Sequence, residues 1–563
     1  MDIDFEKGLP LNNGEYVKVI SNNKLYDYYF YDANGEEIEV YEHQKKPTAL
    51  TTRMTVGKTL FNKTTNGLNK KQATQQFNEV KKALQTFVDL YNEVEAKIIE
   101  EKENAERDKE QKEIQEALEG YERIKEFLLW LACKIEWLTA GERINIMIAF
   151  LTFCSQVILR NPISLIGLGE GSSGKNHVSD IALMMIPDKY ILREKSPSVA
   201  SMYRRSEEDP YYYDGKIVVY GDMGDDGDQE EMQETKKLLK ELQTDGYLNR
   251  PVTAKIDGEF TVVHLELFGN PCLHYQTVPN YNFDDQELSR SILYTPRMDN
   301  RYEFNLMSTY LEFKGGVTYS KHIKTHDYLM EKIPLVVEGL RNKFEDIIIV
   351  NPYFDVIIDF VGDNEYYKRD LNKYNSILKV ITAFNSTNRT VHEINGQKII
   401  FTDKYDVALF LTLFEQYNES IQANLSLKSV EILNDFKNNI DNWCYREDKD
   451  DTLEFDLGVT ISRYMEIGTV KLSKRSIQRY FKELLSKGYL QIVGNINRSA
   501  VYNVSKQEIP SINSVQDLKQ TTKAIIEEEY GKDILKYIKA DTSDDTVSIL
   551  NQHEWVDKPK WQT

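Results

Sequence analysis

The spacing of apolar residues changes character along the chain. Up to about residue 68 the period is two: Tyr16, Val17, Val19 and Ile20, then Leu25 to Tyr31, read as strands, and Asn34-Gly35 ahead of Ile38 to Tyr41 predicts a hairpin turn. The aromatics Tyr26, Tyr28, Tyr29, Phe30 and Tyr31 fall on alternating faces, which suits either a small sheet that packs half its tyrosines or a stacking platform for single-stranded nucleic acid. From Asn69 the period becomes helical, with Phe77, Val80, Leu84, Phe87, Tyr91, Val94 and Ile98 three and four apart. One long docked helix, or a helical hairpin with Ile114 to Trp137, satisfies that stripe. The Glu- and Lys-rich stretch Glu100 to Glu119 reads as a solvated helix face or a flexible link.

Ile144 to Leu159 predicts an apolar helix, after which strand and helix patterns alternate through about residue 300, the signature of an α/β layer with a parallel sheet. Residues 302 to 425 are mixed, with helical patterns at Asp327 to Phe344 and Asp406 to Tyr417. Beyond them come helices Leu427 to Ile440, near Phe455 to Met465, and Ser473 to Gly488, with Ser473 as N-cap. Two strands follow, Leu490 to Val493 and Ala500 to Val504, around a turn at Gly494-Asn495. Three helices and a β-ribbon in this order predict a winged helix-turn-helix. The expected division is 1–68 β-rich, 69–137 helical, 138–335 an α/β core, 336–425 lid and connector, 426–508 winged helix, and 509–563 a tail. From Ser511 that tail reads as a helix plus a loosely held peptide ending near Trp561, a candidate tether for a partner.

At 563 residues the chain has room for about three or four domains. No long uninterrupted apolar run is present and MDIDFEKGLP lacks a signal pattern, so no membrane span is expected and a cytoplasmic setting is. Cys133, Cys154, Cys272 and Cys444 are scattered with no CxxC pair and read as reduced thiols. The net charge of −20 excludes a uniformly basic coat for nucleic acid, yet Gly468 to Lys506 carries eight basic residues against Glu483 alone. On that island Lys474, Arg475, Gln478, Arg479 and Lys482 face away from a core stripe of Ile477, Phe481, Leu484 and Leu485, a candidate surface for duplex DNA; subunit contact is the other use of such a domain.

The candidate chemistry begins at Asn161 to Ile186, a strand, glycine-rich loop and helix. Gly169, Gly174 and Lys175 stand at the spacing GxxxxGK, with Ser172 and Ser173 between them. Glycines let backbone N–H groups close on a polyphosphate, the lysine reaches its terminal phosphates, and the helix start favours the same anion. Asn176 occupies the position where Ser or Thr usually ligates magnesium, so Asn176 is the candidate Mg²⁺ ligand of the loop together with Asp222. Asp222 ends the strand-like run Lys216 to Asp222, where a carboxylate holds magnesium or its water. Met223 replaces the glutamate that often follows, leaving Asp225 or Asp226 to orient the attacking water. Next come a helix at Glu231 to Gln243, a hairpin from Arg250 to Val262 about Asp257-Gly258, and an apolar strand Val263 to Phe268 ending at Gly269-Asn270. Asn270 is placed to position the hydrolytic water, and Arg290 in ELSR to meet a neighbouring subunit's γ-phosphate. On the hairpin, Val252, Ala254 and Ile256 share one face and Thr253 and Lys255 the other, so Lys255 is the candidate DNA grip and Arg250 the next.

The order GEGSSGKN, IVVYGD, hairpin, LELFGN, ELSR resembles a helicase-type AAA+ ATPase with a hairpin before its sensor strand, as in superfamily 3 and MCM helicases, and most resembles MCM-like replicative helicases of mobile genetic elements. The resemblance covers about residues 140 to 340 and the C-terminal arrangement. It implies an ATP- and Mg²⁺-dependent ring, expected to be a hexamer, with single-stranded DNA in the channel and duplex at the winged helix. It makes Lys175 the phosphate lysine, Asp222 the Walker B aspartate, Asn270 sensor 1 and Arg290 the arginine finger. Two other readings stay open: a DNA-binding initiator or regulator that uses nucleotide as an assembly switch with little turnover, and a non-catalytic scaffold.

Overall fold

The computed structural model describes residues 9–10, 16–22, 25–32, 34–44, 70–124, 126–169, 171–194, 198–223, 230–256, 259–278, 283, 285–297, 300–362, 367–414, 425–443, 458–496, 499–505, 520–531 and 559–560. The chain divides into two units, Met1–Glu113 and Ile114–Thr563.

In the first unit β1 (Leu9–Pro10), β2 (Tyr16–Asn22), β3 (Leu25–Tyr31) and β4 (Glu37–Gln44) form an antiparallel sheet in sequence order. The turn after β3 is organised by Asp32, whose Oδ1 accepts from the backbone N–H groups of Asn34 at 2.9 Å and Glu36 at 2.8 Å, while Gly35 supplies φ +86°. Phe30 is buried in this sheet. Helix α1 (Lys70–Glu122) is a single 53-residue element, so the stretch Glu100 to Glu119 is helix and not a link. Its surface there carries exposed i,i+4 pairs such as Arg107 with Glu103. Helix α1 ends before α2 (Phe127–Ile135), separated by Glu126 in the left-handed region at φ +56°.

The second unit is built around α3 (Arg143–Leu159), buried on all sides from Asn145 to Ile158 because its sequence is apolar around the full helix circumference. Beside it lies a five-stranded parallel sheet of order β11-β5-β10-β7-β6. Its chain runs β5 (Ser164–Leu168), α4 (Lys175–Met184), β6 (Ile191–Arg193), α5 (Val199–Glu208), β7 (Ile217–Met223), α6 (Glu230–Asp245), the hairpin β8 (Tyr247–Ile256) and β9 (Glu259–Phe268), β10 (Cys272–Thr277), α7 (Asp285–Arg290) and β11 (Ser291–Tyr294). Helical crossovers between strands make the sheet parallel, and covered faces explain why β5 and β10 are buried at every residue. This is a mixed α/β unit with a parallel central sheet, consistent with a P-loop ATPase core.

Next follow α8 (Arg301–Glu312), α9 (Val317–Phe344), β12 (Ile347–Val350), α10 (Phe354–Val361), α11 (Tyr367–Phe384), β13 (His392–Ile394), β14 (Gln397–Phe401) and α12 (Lys404–Phe414). The segment expected as lid and connector shares one core with α3 and β5: Leu340, Ile377 and Phe410 join Phe150 and Leu165, and the Phe150 and Phe384 rings lie 5.5 Å apart. The last elements are α13 (Leu427–Trp443), β15 (Val459–Thr460), α14 (Ile461–Ile467), α15 (Lys474–Ser486), β16 (Leu490–Ile496), β17 (Ser499–Val504) and α16 (Gln520–Tyr530). Strands β15, β17 and β16 pair antiparallel in that order over a core of Phe436, Tyr464, Ile477, Phe481 and Leu484. The Ser473 hydroxyl caps α15 by accepting from the Ser476 N–H at 3.2 Å. Most of the tail after Ser511 lies outside the described residues. No described helix is long and apolar enough to cross a membrane.

Candidate functional site

The glycine-rich loop leaves β5 at the C-terminal edge of the sheet. There Gly169 N–H donates to the Thr277 carbonyl at 3.2 Å, which ties the loop to the end of β10. Ser172 at φ +62° and Gly174 at φ +89° curl the backbone over, and α4 starts at Lys175. Lys175 is buried, and its ammonium donates to the carbonyls of Gly169 at 2.7 Å and Thr277 at 3.0 Å. The Ser173 hydroxyl is enclosed with no hydrogen-bond partner among the described residues. A curled loop, the exposed N–H groups of a helix start, a lysine held at the strand tips and an unsatisfied hydroxyl converge on one point, and the ligand they suit is a polyphosphate.

Beneath the loop sits a buried polar floor. The Tyr294 hydroxyl donates to the Lys175 carbonyl at 2.8 Å, and Gln276 Nε2 donates to Ser179 Oγ at 3.0 Å and to Tyr294 at 2.9 Å. Burial holds the Tyr294 phenol well above its usual pKa, so it stays a donor. Room for Gln276 exists because β5 has Gly167 at this point: a Cβ there would stand 1.7 Å from Gln276 Oε1 and 2.7 Å from the Tyr294 hydroxyl. One position back on the same face of β10, His274 is buried with Nδ1 2.9 Å from the Leu165 carbonyl, and burial lowers its pKa to about 4. None of Gly167, His274, Gln276, Thr277 and Tyr294 stood out in the sequence. The signal available was a glycine inside an otherwise apolar strand, which marks close approach by a neighbour.

The structure brings Gly169, Ser172, Ser173, Gly174, Lys175 and Asn176 into this one loop, with Asn176 exposed at the start of α4. Asp222 lies near the C-terminal end of β7, opposite Gln276 on the neighbouring strand β10, so its backbone reaches the same edge as Lys175. Asp225 lies outside the described residues.

Asn270 does not belong here. The strand Val263 to Phe268 that it follows is β9, the returning arm of the hairpin, and Asn270 precedes the true sheet strand β10. Its N–H donates to Asp214 Oδ1 at 3.1 Å and its carbonyl accepts from Gln156 at 2.6 Å, both at the edge where the strands begin. The apolar run ending at Gly269 was long enough to fill a sheet strand, but pairing with Tyr247 to Ile256 claims it first. Thr277 holds the position expected of Asn270.

Arg290 also lies at the starting edge: it ends α7 immediately before Ser291, which pairs with Ser164 at the beginning of β5. Helix α7 is fastened from two sides. Glu287, buried, pairs with Lys236 of α6 and accepts from the Tyr275 hydroxyl at 2.8 Å. Lys373 of α11 donates to the carbonyls of Leu288 at 3.2 Å and Ser291 at 2.9 Å.

The hairpin is longer than its sequence signal, ten residues in each arm. At its root Leu248, Leu265 and Leu267 are buried, and Arg250 is committed to Glu241 of α6 through contacts of 2.6 and 2.5 Å. Register places Lys255 opposite Phe260 and Thr253 opposite Val262, so these four share a face. Phe260 is 78% and Val262 65% exposed, which makes that face apolar at these positions. On α15, Lys474, Arg475 and Lys482 are exposed and Arg479 is half-buried.

No protein-family model matches the chain. No curated protein matches it either. Among solved structures, a candidate ATPase from Cytophaga hutchinsonii is 12% identical over 54% of this chain and 98% of its own, with a TM-score of 0.29. JCV helicase with a bound acetamide compound is 14% identical over 46% of this chain and 68% of its own, TM-score 0.22, and JCV helicase with a bound inhibitor is 12% identical over 52% and 78%, TM-score 0.23. Likeness of this depth carries no weight; the strand order and the loop do.

Proposed function

We propose that this protein is a ring-forming, ATP-driven DNA helicase of the AAA+ type, serving replication of a mobile genetic element. The observation that carries the reading is Lys175, buried between the Gly169 and Thr277 carbonyls at the sheet edge where β5, β10 and β7 end together. An incoming polyphosphate offers this ammonium stronger, charged acceptors than two carbonyls. The loop N–H groups and the Ser173 hydroxyl complete the cradle, and Thr277 takes the sensing position in place of Asn270. Asn176 and Asp222 would hold Mg²⁺, which when bound offsets the charge of the β- and γ-phosphates. Arg290 serves the phosphates of a second copy, since its own loop lies at the far edge of the sheet. The hairpin face bearing Lys255 grips single-stranded DNA in the channel. The winged helix of α13 to β17 anchors duplex through Lys474, Arg475, Arg479 and Lys482, and the hexameric ring and mobile-element setting rest on the motif order.

The absence of an acid at Met223 favours, as a second reading, a nucleotide-switched initiator with little turnover. An ATPase assay with and without single-stranded DNA, run beside size measurement in ATP, separates the two. Turnover stimulated by DNA in a closed oligomer supports the helicase; assembly in ATP without turnover supports the switch; neither response removes both.

A further inference from the structure

The space above the phosphate loop has a second wall from a different part of the chain. A cavity of about 410 Å³ is bounded on one side by Gly169 and Ser173 and on the other by Lys428, Lys471, Ser473 and Tyr480. That volume lies in the range of about 300–1,000 Å³ usual for small-molecule sites. The described lining carries two lysines and no carboxylate, in a chain of net charge −20. The Ser173 hydroxyl on its floor is enclosed and unsatisfied among the described residues. Neither lysine has a strong structural task. Lys428 pairs with the half-exposed Glu431 at 2.6 Å, three residues along α13, and among the described residues Lys471 donates only to the Glu466 carbonyl at 3.1 Å.

We propose that Lys428 and Lys471 bind the nucleotide held by the phosphate loop, making the winged helix the second half of the nucleotide site. This rests on the nucleotide-binding reading of Lys175 and goes beyond it. Two cations across the cavity from Gly169 and Ser173, in the loop whose Gly169 carbonyl Lys175 holds, suit a nucleoside triphosphate, whose charge exceeds what one lysine offsets. A consequence follows for DNA. Lys471 and Ser473 lead directly into α15, and the first residues of such a helix are those that enter a major groove. While Lys471 and Ser473 close the nucleotide cavity, these two are withheld from duplex even though Lys474 and Arg475 stay exposed, so nucleotide and duplex oppose each other, each lowering the other's affinity by the same factor.

The test titrates a fluorescent ATP analogue into wild type, Lys175→Ala and the double variant Lys428→Ala with Lys471→Ala. The expected result is wild-type binding, none in Lys175→Ala, and about tenfold weaker binding in the double variant, as for loss of charge-assisted contacts at a partly solvated site. Unchanged affinity in the double variant beside lost affinity in Lys175→Ala overturns this inference alone. Equal affinity in wild type and Lys175→Ala overturns the nucleotide reading beneath it. Labelled duplex is then titrated with and without a non-hydrolysable ATP analogue. Weaker duplex binding in its presence, with the difference lost in the double variant, supports the docked helix. No difference in wild type, or the same difference in both proteins, overturns it.

Discussion

Replacing Arg290 by alanine separates binding from turnover, and the geometry sets how much. Ser291, next to Arg290, pairs with Ser164, while Leu168 pairs with Thr277 at the loop edge. Four residues of β5 therefore separate the two edges, about 13 Å at roughly 3.3 Å per residue, before the loop itself is crossed. An arginine side chain does not cover that span, so the guanidinium cannot assist its own subunit's phosphates. Arg290→Ala should leave nucleotide affinity within about twofold and lower turnover about 10³-fold or more. Mixing it with Lys175→Ala restores sites wherever an Arg290→Ala subunit supplies the loop and a Lys175→Ala subunit the arginine. In a randomly mixed heterologous ring this holds at about one interface in four whatever the ring size, so about a quarter of the wild-type rate should return at equal proportions if sites act independently. The assay is steady-state phosphate release across a series of mixing ratios. Silence at every ratio would refute action in trans, and full turnover by Arg290→Ala alone would remove the residue from the chemistry.

Three further perturbations test the site and the hairpin. Gly167→Ala forces a Cβ onto Gln276 Oε1, 1.7 Å away, and should cost about 1–3 kcal/mol or more in urea unfolding, with weakened nucleotide binding; a neutral result would mean the polar floor under Lys175 is not tightly packed. His274 is neutral and buried with a pKa of about 4, so the unfolded chain binds the extra proton as pH falls below about 6.5 and stability drops, by up to about 3 kcal/mol at pH 4. His274→Gln should flatten that slope, and equal slopes in denaturation at pH 7 and pH 5 would show that another group sets it. Lys255→Ala should keep basal ATPase and assembly but lose unwinding and stimulation by single-stranded DNA; wild-type unwinding would transfer attention to Phe260 on the same face, since Arg250 is engaged by Glu241.

The phosphate loop was legible because its constraint is local: glycines, a lysine and a helix start within a dozen residues. The partners that make it a site were not, because they come from strands more than a hundred residues away. Thr277 and Gln276 meet Lys175 only through the parallel pairing of β10 with β5. The misplacement of Asn270 has the same origin. Period two identifies a strand but not its partner, and Val263 to Phe268 suits a hairpin arm as well as a sheet strand until pairing is known. The long helix at Lys70–Glu122 shows a further limit: charged residues at helical spacing fit a solvated helix and a link alike, and uninterrupted backbone pairing decides for helix.

Pairing also explains how the two edges of the sheet can act together. Strand β10 begins at Cys272, two residues after Asn270 at the hairpin root, where Gly269 N–H donates to the Gly246 carbonyl at 2.9 Å, and it ends at Thr277, whose carbonyl accepts from Lys175. The hairpin that carries Lys255 and the carbonyl that holds the phosphate lysine are therefore joined by six residues of buried strand. A strand hydrogen-bonded to β5 on one side and β7 on the other transmits displacement with little bending. On the proposed reading, phosphates that draw Lys175 from Thr277 take a cationic partner from the end of the strand whose start is the hairpin root. Arg290 sits one strand beyond β5 at that same starting edge, clamped by Glu287 to α6, the helix that also holds the hairpin through Glu241 and Arg250. Helix α6 thus connects α7, which ends in the Arg290 proposed to meet a neighbour's phosphates, with the hairpin proposed to grip DNA, through ion pairs of Lys236 and Lys240 with Glu287 and of Glu241 with Arg250.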